Sequence, residues 1–329
     1  MNLIVDNNCE IEKLLLPWTR FQYHSVENLE IDPSALYVVG REQCRVFPDK
    51  IREMVNRAEV VFSNPAEGSE TFVGHLHNYG LNDLAASGRM KCVVGGDIGN
   101  EYTYIKYNHF LAQIFRFDEN VAAAATVDKI FQTRPKPYKF LFLNGRARWH
   151  RSWLIHELEQ HGVLNSALWT SLDGDRINYL PAQYEIDEFI PNINQPCDNK
   201  FVKYQLFNNI WGEIYIKPEL YWDTYFSLVT ETVFKYPWSF LTEKIAKPLA
   251  QGHPFIAVAN AGFYADLHAL GFRTFGHVID ESFDSIEHHQ DRCDRIAEIV
   301  KDLCKQDLDR KSTRLNSSHV SESRMPSSA

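Results

Sequence analysis

The chain contains no uninterrupted apolar run approaching the roughly 18 to 20 residues that span a bilayer. Its opening, MNLIVDNNCEIEKLLLPW, has an acidic, broken pattern unlike a secretory signal. A cytoplasmic location with no transmembrane segment is therefore expected. Cysteine is scarce and scattered: Cys9, Cys44, Cys92, Cys197, Cys293 and Cys304 form no CxxC pair and no Cys/His cluster. That excludes a disulfide framework or a zinc finger and leaves buried or reduced thiols as the expectation. No GxxxxGK loop is present, which argues against transferases that grip phosphate on such a loop, sulfotransferases among them.

Positive charge is also short, the formal net charge being −9. Residues 309–329, opening DRKSTRLNSSH, resemble the translation of a common sequencing-adapter oligonucleotide and continue without apolar periodicity. Read as an artefact or as a disordered Ser/Arg-rich tail, they take no part in the fold. Without them the body holds 30 basic and 41 acidic residues, a net charge of −11. Gripping nucleic acid over a broad face needs the opposite balance, so no nucleic-acid partner is expected and local basic spots stand out.

The full chain of 329 residues has 44% hydrophobic and 13% aromatic content, enough for two sizeable cores. Short apolar runs alternate with helical periodicity: Leu36–Val39 before Gly40, a helix over Asp49–Ala58, Val60–Phe62 before Ser63–Gly68, a long helix over Glu70–Ala86, then Lys91–Val94. This alternation predicts βαβ units and a parallel sheet. Ligands of such sheets bind beyond the carboxyl ends of the strands, where Glu67 and Asp97 fall; as carboxylates they are the candidate general bases, with loop acid or helix cap as the plain alternative. Thr133–Pro137, TRPKP, has two prolines in three residues and predicts a hinge. The expected division is 1–134, 135–308 and the excluded tail.

A second alternation follows. Tyr138–Leu143 reads as a buried strand, Asn144–Arg151 (NGRARWHR) as a loop, and Ser152–His161 as a helix closed by Gly162. Arg146, Arg148, His150 and Arg151 thus lie between a strand end and a helix start, where free N–H groups and the helix dipole favour an anion and guanidinium forks match phosphate oxygens. The plain alternative is a basic turn whose arginines pair with surface acids. Further on, Phe226–Val229 predicts a strand entering Thr230–Glu231–Thr232, and Pro254–Ala259 another. Between them TEKIAKP begins a helix capped by Ser239 or Thr242. It places Glu243, Lys244 and Lys247 at the helix start and Ile245 and Leu249 on the packed face, with a bend expected at Pro248. Thr274–Phe275 reads as a brief strand and Ser285–Lys305 as an amphipathic structural helix.

A carboxylate accepts hydrogen bonds from vicinal hydroxyls such as those of a ribose, while lysine and arginine hold a diphosphate and stabilise the charge it gains on leaving. The residues from 225 to 260, TETVFKYPWSFLTEKIAKPLAQGHPFI at their centre, resemble the donor-binding segment of two-domain GT-B glycosyltransferases, particularly the α-1,3-fucosyltransferase family. KPYKFLFLNGRARWHR and GFRTFGHVIDESFD are also similar to uncharacterised glycosyltransferases of phages and aquatic microbes. The resemblance implies an α/β fold with two Rossmann-like domains facing across a cleft, acceptor on the first and donor on the second. It further implies that Glu243 holds the ribose, Lys244 the diphosphate, Glu231 the donor sugar or a nearby loop, and Arg146 or Arg148 the diphosphate. The acid stands in Thr230–Glu231–Thr232 where that family has Glu-Asn, so fucose is not carried over. The expected activity is transfer from a nucleotide sugar, a GDP-sugar favoured, to a glycan or glycoconjugate hydroxyl. It uses no cofactor beyond that co-substrate and no metal ligands, basic residues replacing a divalent ion. The alternative is a catalytically silent nucleotide- or sugar-binding module on the same fold.

Overall fold

The computed structural model describes residues 3–5, 22–23, 25–116, 127–132, 135–172, 177–184 and 216–308. The chain forms two compact units, one of 1–109 with 238–241 and one of 110–237 with 242–329. This division lies upstream of the expected hinge, of which Thr133 and Arg134 are outside the described residues, as is the tail from 309.

The first unit is built on a six-stranded sheet in which every pairing is parallel: β1 (Leu3–Val5), β2 (Gln22–Tyr23), β3 (Leu36–Val39), β4 (Glu59–Asn64), β5 (Met90–Val94) and β6 (Tyr104–Lys106), in the order β2-β1-β3-β4-β5-β6. Helices α1 (Arg41–Val46), α2 (Pro48–Arg57), α3 (Ser69–Asn78) and α4 (Asn82–Ala86) connect these strands. Apolar runs such as Val60–Phe62 are covered on both faces, as parallel strands require. Phe62 of β4 stacks on Phe72 of α3 at 4.9 Å between ring centres, both fully buried. Each such side chain contributes about 1.5–3 kcal/mol by leaving water. At the end of β5 a methyl group on Gly95 would lie 2.4 Å from the Pro65 carbonyl oxygen and 2.4 Å from the Phe240 ring. Only glycine lets the turn after β4 approach so closely.

Helix α5 (His109–Arg116) begins at the boundary and leads into the second unit, whose four-stranded parallel sheet is formed by β7 (Tyr138–Leu143), β8 (Ala167–Thr170), β9 (Thr224–Thr230) and β10 (Phe255–Val258), in the order β10-β9-β7-β8. Helices α6 (Trp149–Gln160), α7 (Glu219–Trp222), α8 (Glu243–Gln251), α9 (Phe263–Ala269) and α10 (His289–Lys305) complete it. Phe140 stacks on Phe226 at 5.4 Å across the β7–β9 pair. The chain passes from β7 outward to β8, then returns to the other side of β7 with β9. The strand order therefore reverses between β7 and β9, and open parallel sheets part their loops at such a point to admit a ligand.

The sequence and the structure differ in places, each for a local reason. The helix expected over Glu70–Ala86 is two, because Gly80 takes φ +66° and ends the first. A separate helix, α1, precedes the one expected from Asp49. The helix expected from Ser152 begins at Trp149, so His150 and Arg151 are helical rather than in a loop. Thr274–Phe275 is not a strand; Glu281 binds the Thr274 hydroxyl and the Phe275 N–H, both at 2.9 Å, and holds a loop. The last helix starts at His289, a single tight turn at Ser282–Ser285 preceding it. Helix α8 runs through Pro248 to Gln251. Cys44, Cys92, Cys293 and Cys304 are free thiols; burial pushes Cys92 and Cys293 up to about 12 and Cys304 to about 11. No described helix is long and apolar enough to cross a membrane.

Candidate functional site

At the reversal point two side-chain sets meet. Asn144 follows the last residue of β7 and Glu231 follows the last of β9. Asn144 is 2% exposed and is fixed on both sides. Its N–H donates to the Thr170 hydroxyl at 2.9 Å, and the Thr230 hydroxyl donates to its Oδ1 at 2.7 Å. Its Nδ2 has no hydrogen-bond partner among the described residues. Arg151, 4% exposed, donates from Nη1 to the Arg146 carbonyl at 2.9 Å and from Nη2 to the Thr230 carbonyl at 3.1 Å. Its Nε also has no partner among the described residues. Two buried donors without acceptors are thus anchored on one residue, Thr230. A native protein leaves such groups unsatisfied at a cost of about 1–3 kcal/mol each unless something binds them.

His150, beside Arg151 in the first turn of α6, is held by the Glu231 carbonyl at 2.9 Å from Nε2 and by the Phe234 ring stacked at 4.8 Å. Burial, reinforced by the Arg151 charge, pushes its imidazole down to about 3, so it is neutral and donates a proton to that carbonyl. Burial, then the neighbouring Arg148 charge, lowers Arg151 to about 10 against the opposing pull of Glu231 and Glu243. Arg151 stays cationic near neutral pH. Phe234 also carries the guanidinium of the buried Arg292 over its face, 4.5 Å from the ring centre. Arg292 donates to the carbonyls of Phe234 at 2.9 Å and Ala259 at 3.0 Å, which ties the loop after β9 to helix α10.

Glu231 is fully buried, and both its carboxylate oxygens are used. Oε2 accepts from the Thr242 hydroxyl at 2.6 Å and the Thr232 N–H at 3.0 Å. Oε1 accepts from the N–H groups of Thr242 at 3.1 Å and Ile245 at 3.3 Å. Four donors fill the acceptor capacity of a carboxylate. Burial raises its pKa, with the Lys244 charge and the Thr242 hydroxyl opposing. Thr242 is the helix cap, accepting the Lys244 N–H at 3.3 Å. The start of α8, a natural place for an anion, is therefore satisfied by the protein's own carboxylate.

Glu243 and Lys244 form a close, mostly buried ion pair, and the Lys244 ammonium also lies 3.5 Å from the hydroxyls of Thr232 and Thr242. Burial opposes ionisation of Glu243, but Lys244 and, further off, Lys247 outweigh it and hold the carboxyl below its usual range. Arg146 and Arg148 are exposed and make no side-chain hydrogen bond or ion pair among the described residues. The pairing with surface acids that would make them ordinary is missing there.

The two candidate bases lie in the first unit. Glu67 pairs with Arg41 at 3.3 Å, and Asp97 pairs with Lys106 at 2.8 Å while accepting from the Tyr104 hydroxyl at 3.0 Å. Nearby, the side chain of buried Asn64 meets His75 Nδ1 at 3.4 Å, a pair that sequence spacing alone does not mark. Asn144 and Thr230 were also invisible as partners, being 86 residues apart.

Among the described residues no three His, Cys, Asp or Glu side chains cluster in a way that could hold a metal ion. Asp-x-Asp tripeptides occur at 173–175 and 307–309; the first, and Asp309 of the second, lie outside the described residues. The expectation of metal-independent chemistry therefore rests on the basic residues alone. Chemically, the neighbourhood of β7 and β9 offers neutral and cationic N–H donors to an oxyanion and one ionised carboxylate to hydroxyl groups. No protein-family model, no curated protein and no solved structure matches this chain.

Proposed function

We propose that the protein is a GT-B-type glycosyltransferase that moves a sugar from a nucleotide sugar, a GDP-sugar favoured, to the hydroxyl of a carbohydrate acceptor without a metal ion. The observation that carries this reading is the pair of buried donors without a partner among the described residues, Asn144 Nδ2 and Arg151 Nε, at the strand-order reversal of the second unit. Unused N–H groups of this kind call for an acceptor, and a phosphate presents several. Arg146, Arg148 and Lys244 would add charge that strengthens as the diphosphate departs, which lowers the barrier more than it tightens ground-state binding. Glu243, ionised beside Lys244, suits the vicinal hydroxyls of a ribose. Glu231, with both oxygens committed, serves this site by holding Thr242, Glu243 and Lys244 in place rather than by touching the sugar.

The test is nucleotide release. Incubation with GDP-mannose, UDP-glucose, ADP-glucose and a CMP-linked sugar should give turnover with one nucleotide class. Binding of a nucleotide without any release, with sugar acceptors added, would favour a silent binding module instead.

A further inference from the structure

We infer that Trp149 is the platform on which the base of the nucleotide stacks, and that Lys235, poised over the same ring, selects guanine. The inference rests on the phosphate site of the reading above and lies wholly within the second unit. Trp149 opens helix α6, two residues before Arg151, or about 3 Å along the helix axis. Arg151, with its buried Nε, and the indole therefore share one helical turn. Tryptophan is highly buried on average, yet this one is 41% exposed.

Its place is fixed all the same. Phe234, buried in the loop after β9, meets the indole at 6.0 Å between ring centres with the planes 38° apart, and stacks on His150 at 4.8 Å. The ring that braces the tryptophan is thus the one packed against the histidine holding the Glu231 carbonyl. Over the indole stands the ammonium of Lys235, 4.8 Å from the ring centre. Lys235 is exposed, and among the described residues no carboxylate pairs with it. A solvent-facing aromatic face with a cation resting on it is a place that a flat, acceptor-bearing ring can take over.

Stacking accepts any base, because every base has a π-face. The lysine supplies the choice. As a base settles on the indole, the long lysine stem carries the ammonium to the base edge, where guanine presents two acceptors, O6 and N7. Adenine puts an amino donor beside its N7 and repels the cation there, and a pyrimidine lacks the N7 acceptor. Glu243 and the phosphate-facing donors keep the roles given above.

The experiment is titration calorimetry of the full chain with GDP, ADP, UDP and inorganic pyrophosphate, with tryptophan emission followed in parallel. Wild type should bind GDP about tenfold or more tighter than ADP or UDP, with quenching of the emission. Trp149→Ala should weaken GDP by about 10–100-fold and leave pyrophosphate within about twofold. Trp149→Phe should keep GDP within about threefold while losing part of the quenching, and Lys235→Met, which keeps the stem, should bring GDP and ADP within about threefold of each other. GDP binding by Trp149→Ala within about threefold of wild type overturns the proposal. So does an equal loss of pyrophosphate in that variant, and so does a wild type that binds pyrophosphate as tightly as GDP; the latter leaves the phosphate site standing without a base platform. A wild type that binds neither GDP nor pyrophosphate strikes the phosphate reading itself, and this inference with it.

Discussion

Glu231 and Thr242 are bound to each other through both carboxylate oxygens, Oε2 taking the threonine hydroxyl at 2.6 Å and Oε1 the threonine N–H at 3.1 Å. Ten residues of loop separate the two, so this double contact closes the loop and seats the start of α8. Removing the acceptor strands three N–H groups and a hydroxyl. Glu231→Ala should destabilise the chain by about 3 kcal/mol or more, and Glu231→Gln, which keeps one acceptor oxygen, by roughly half that. Denaturant titration of the two variants decides it; a change below about 0.5 kcal/mol for Glu231→Ala would show that the carboxylate does not carry the helix start.

Two buried histidines set an acid limit. His150 and His253 are both pushed to about 3, mainly by burial, from an ordinary value of 6.5. Between these values the unfolded chain binds protons that the folded chain refuses. Their contribution is complete above pH 6.5 and is lost as pH falls towards 3, by up to about 2.7 kcal/mol per pH unit for two protons. Glu231 acts oppositely: with its pKa raised above 4.5, its contribution shrinks as pH rises through that window. Unfolding free energies at pH 7, 6, 5 and 4 should fall steadily, and His253→Gln should flatten the slope by about 1.4 kcal/mol per unit. A flat profile in wild type contradicts the account.

Two glycines should respond to alanine with opposite signs. At Gly95 the added methyl would meet backbone oxygen and the Phe240 ring, each at 2.4 Å, so Gly95→Ala should cost about 1–3 kcal/mol. Gly74, inside α3, has nothing within 4 Å of that position, and Gly74→Ala should stabilise by about 0.5–1 kcal/mol. Equal effects in denaturant titrations would mean that the crowding at Gly95 is relieved at no cost.

Arg292 is buried with carbonyl oxygens and an aromatic face around it. Lysine keeps the charge but cannot reach several carbonyls at once. Arg292→Lys should therefore lose about 2–4 kcal/mol, measurable by denaturant unfolding; wild-type stability in that variant would show the fork to be dispensable.

The second sheet was legible because its strands are nearly continuous apolar runs: YKFLFL marked β7 to the residue. β1, β2 and β6, two or three residues long, carry too little pattern to register, and their pairing comes from neighbours far along the chain. Both halves of the candidate site could be read from charge at a strand end and at a helix start. What could not be read is which polar groups spend their bonds inside the protein. Arg151 looks like its exposed neighbours Arg146 and Arg148 in sequence, yet it is buried under the Thr230 and Arg146 carbonyls. Glu231 looks like a ligand, yet four internal donors occupy it. Those distinctions are made by contacts that the fold assembles, such as Thr230 with Asn144.

The central claim, a phosphate-binding site at the ends of β7 and β9, is tested most directly by thermal unfolding with GDP, UDP, CMP and ADP, in wild type and in Lys244→Ala. At a hundred times the dissociation constant one nucleotide should add about 2.7 kcal/mol and raise the midpoint by roughly 5 °C or more. Lys244→Ala should bind that nucleotide at least about tenfold more weakly. No shift with any nucleotide, or an undiminished shift in Lys244→Ala, would contradict the account.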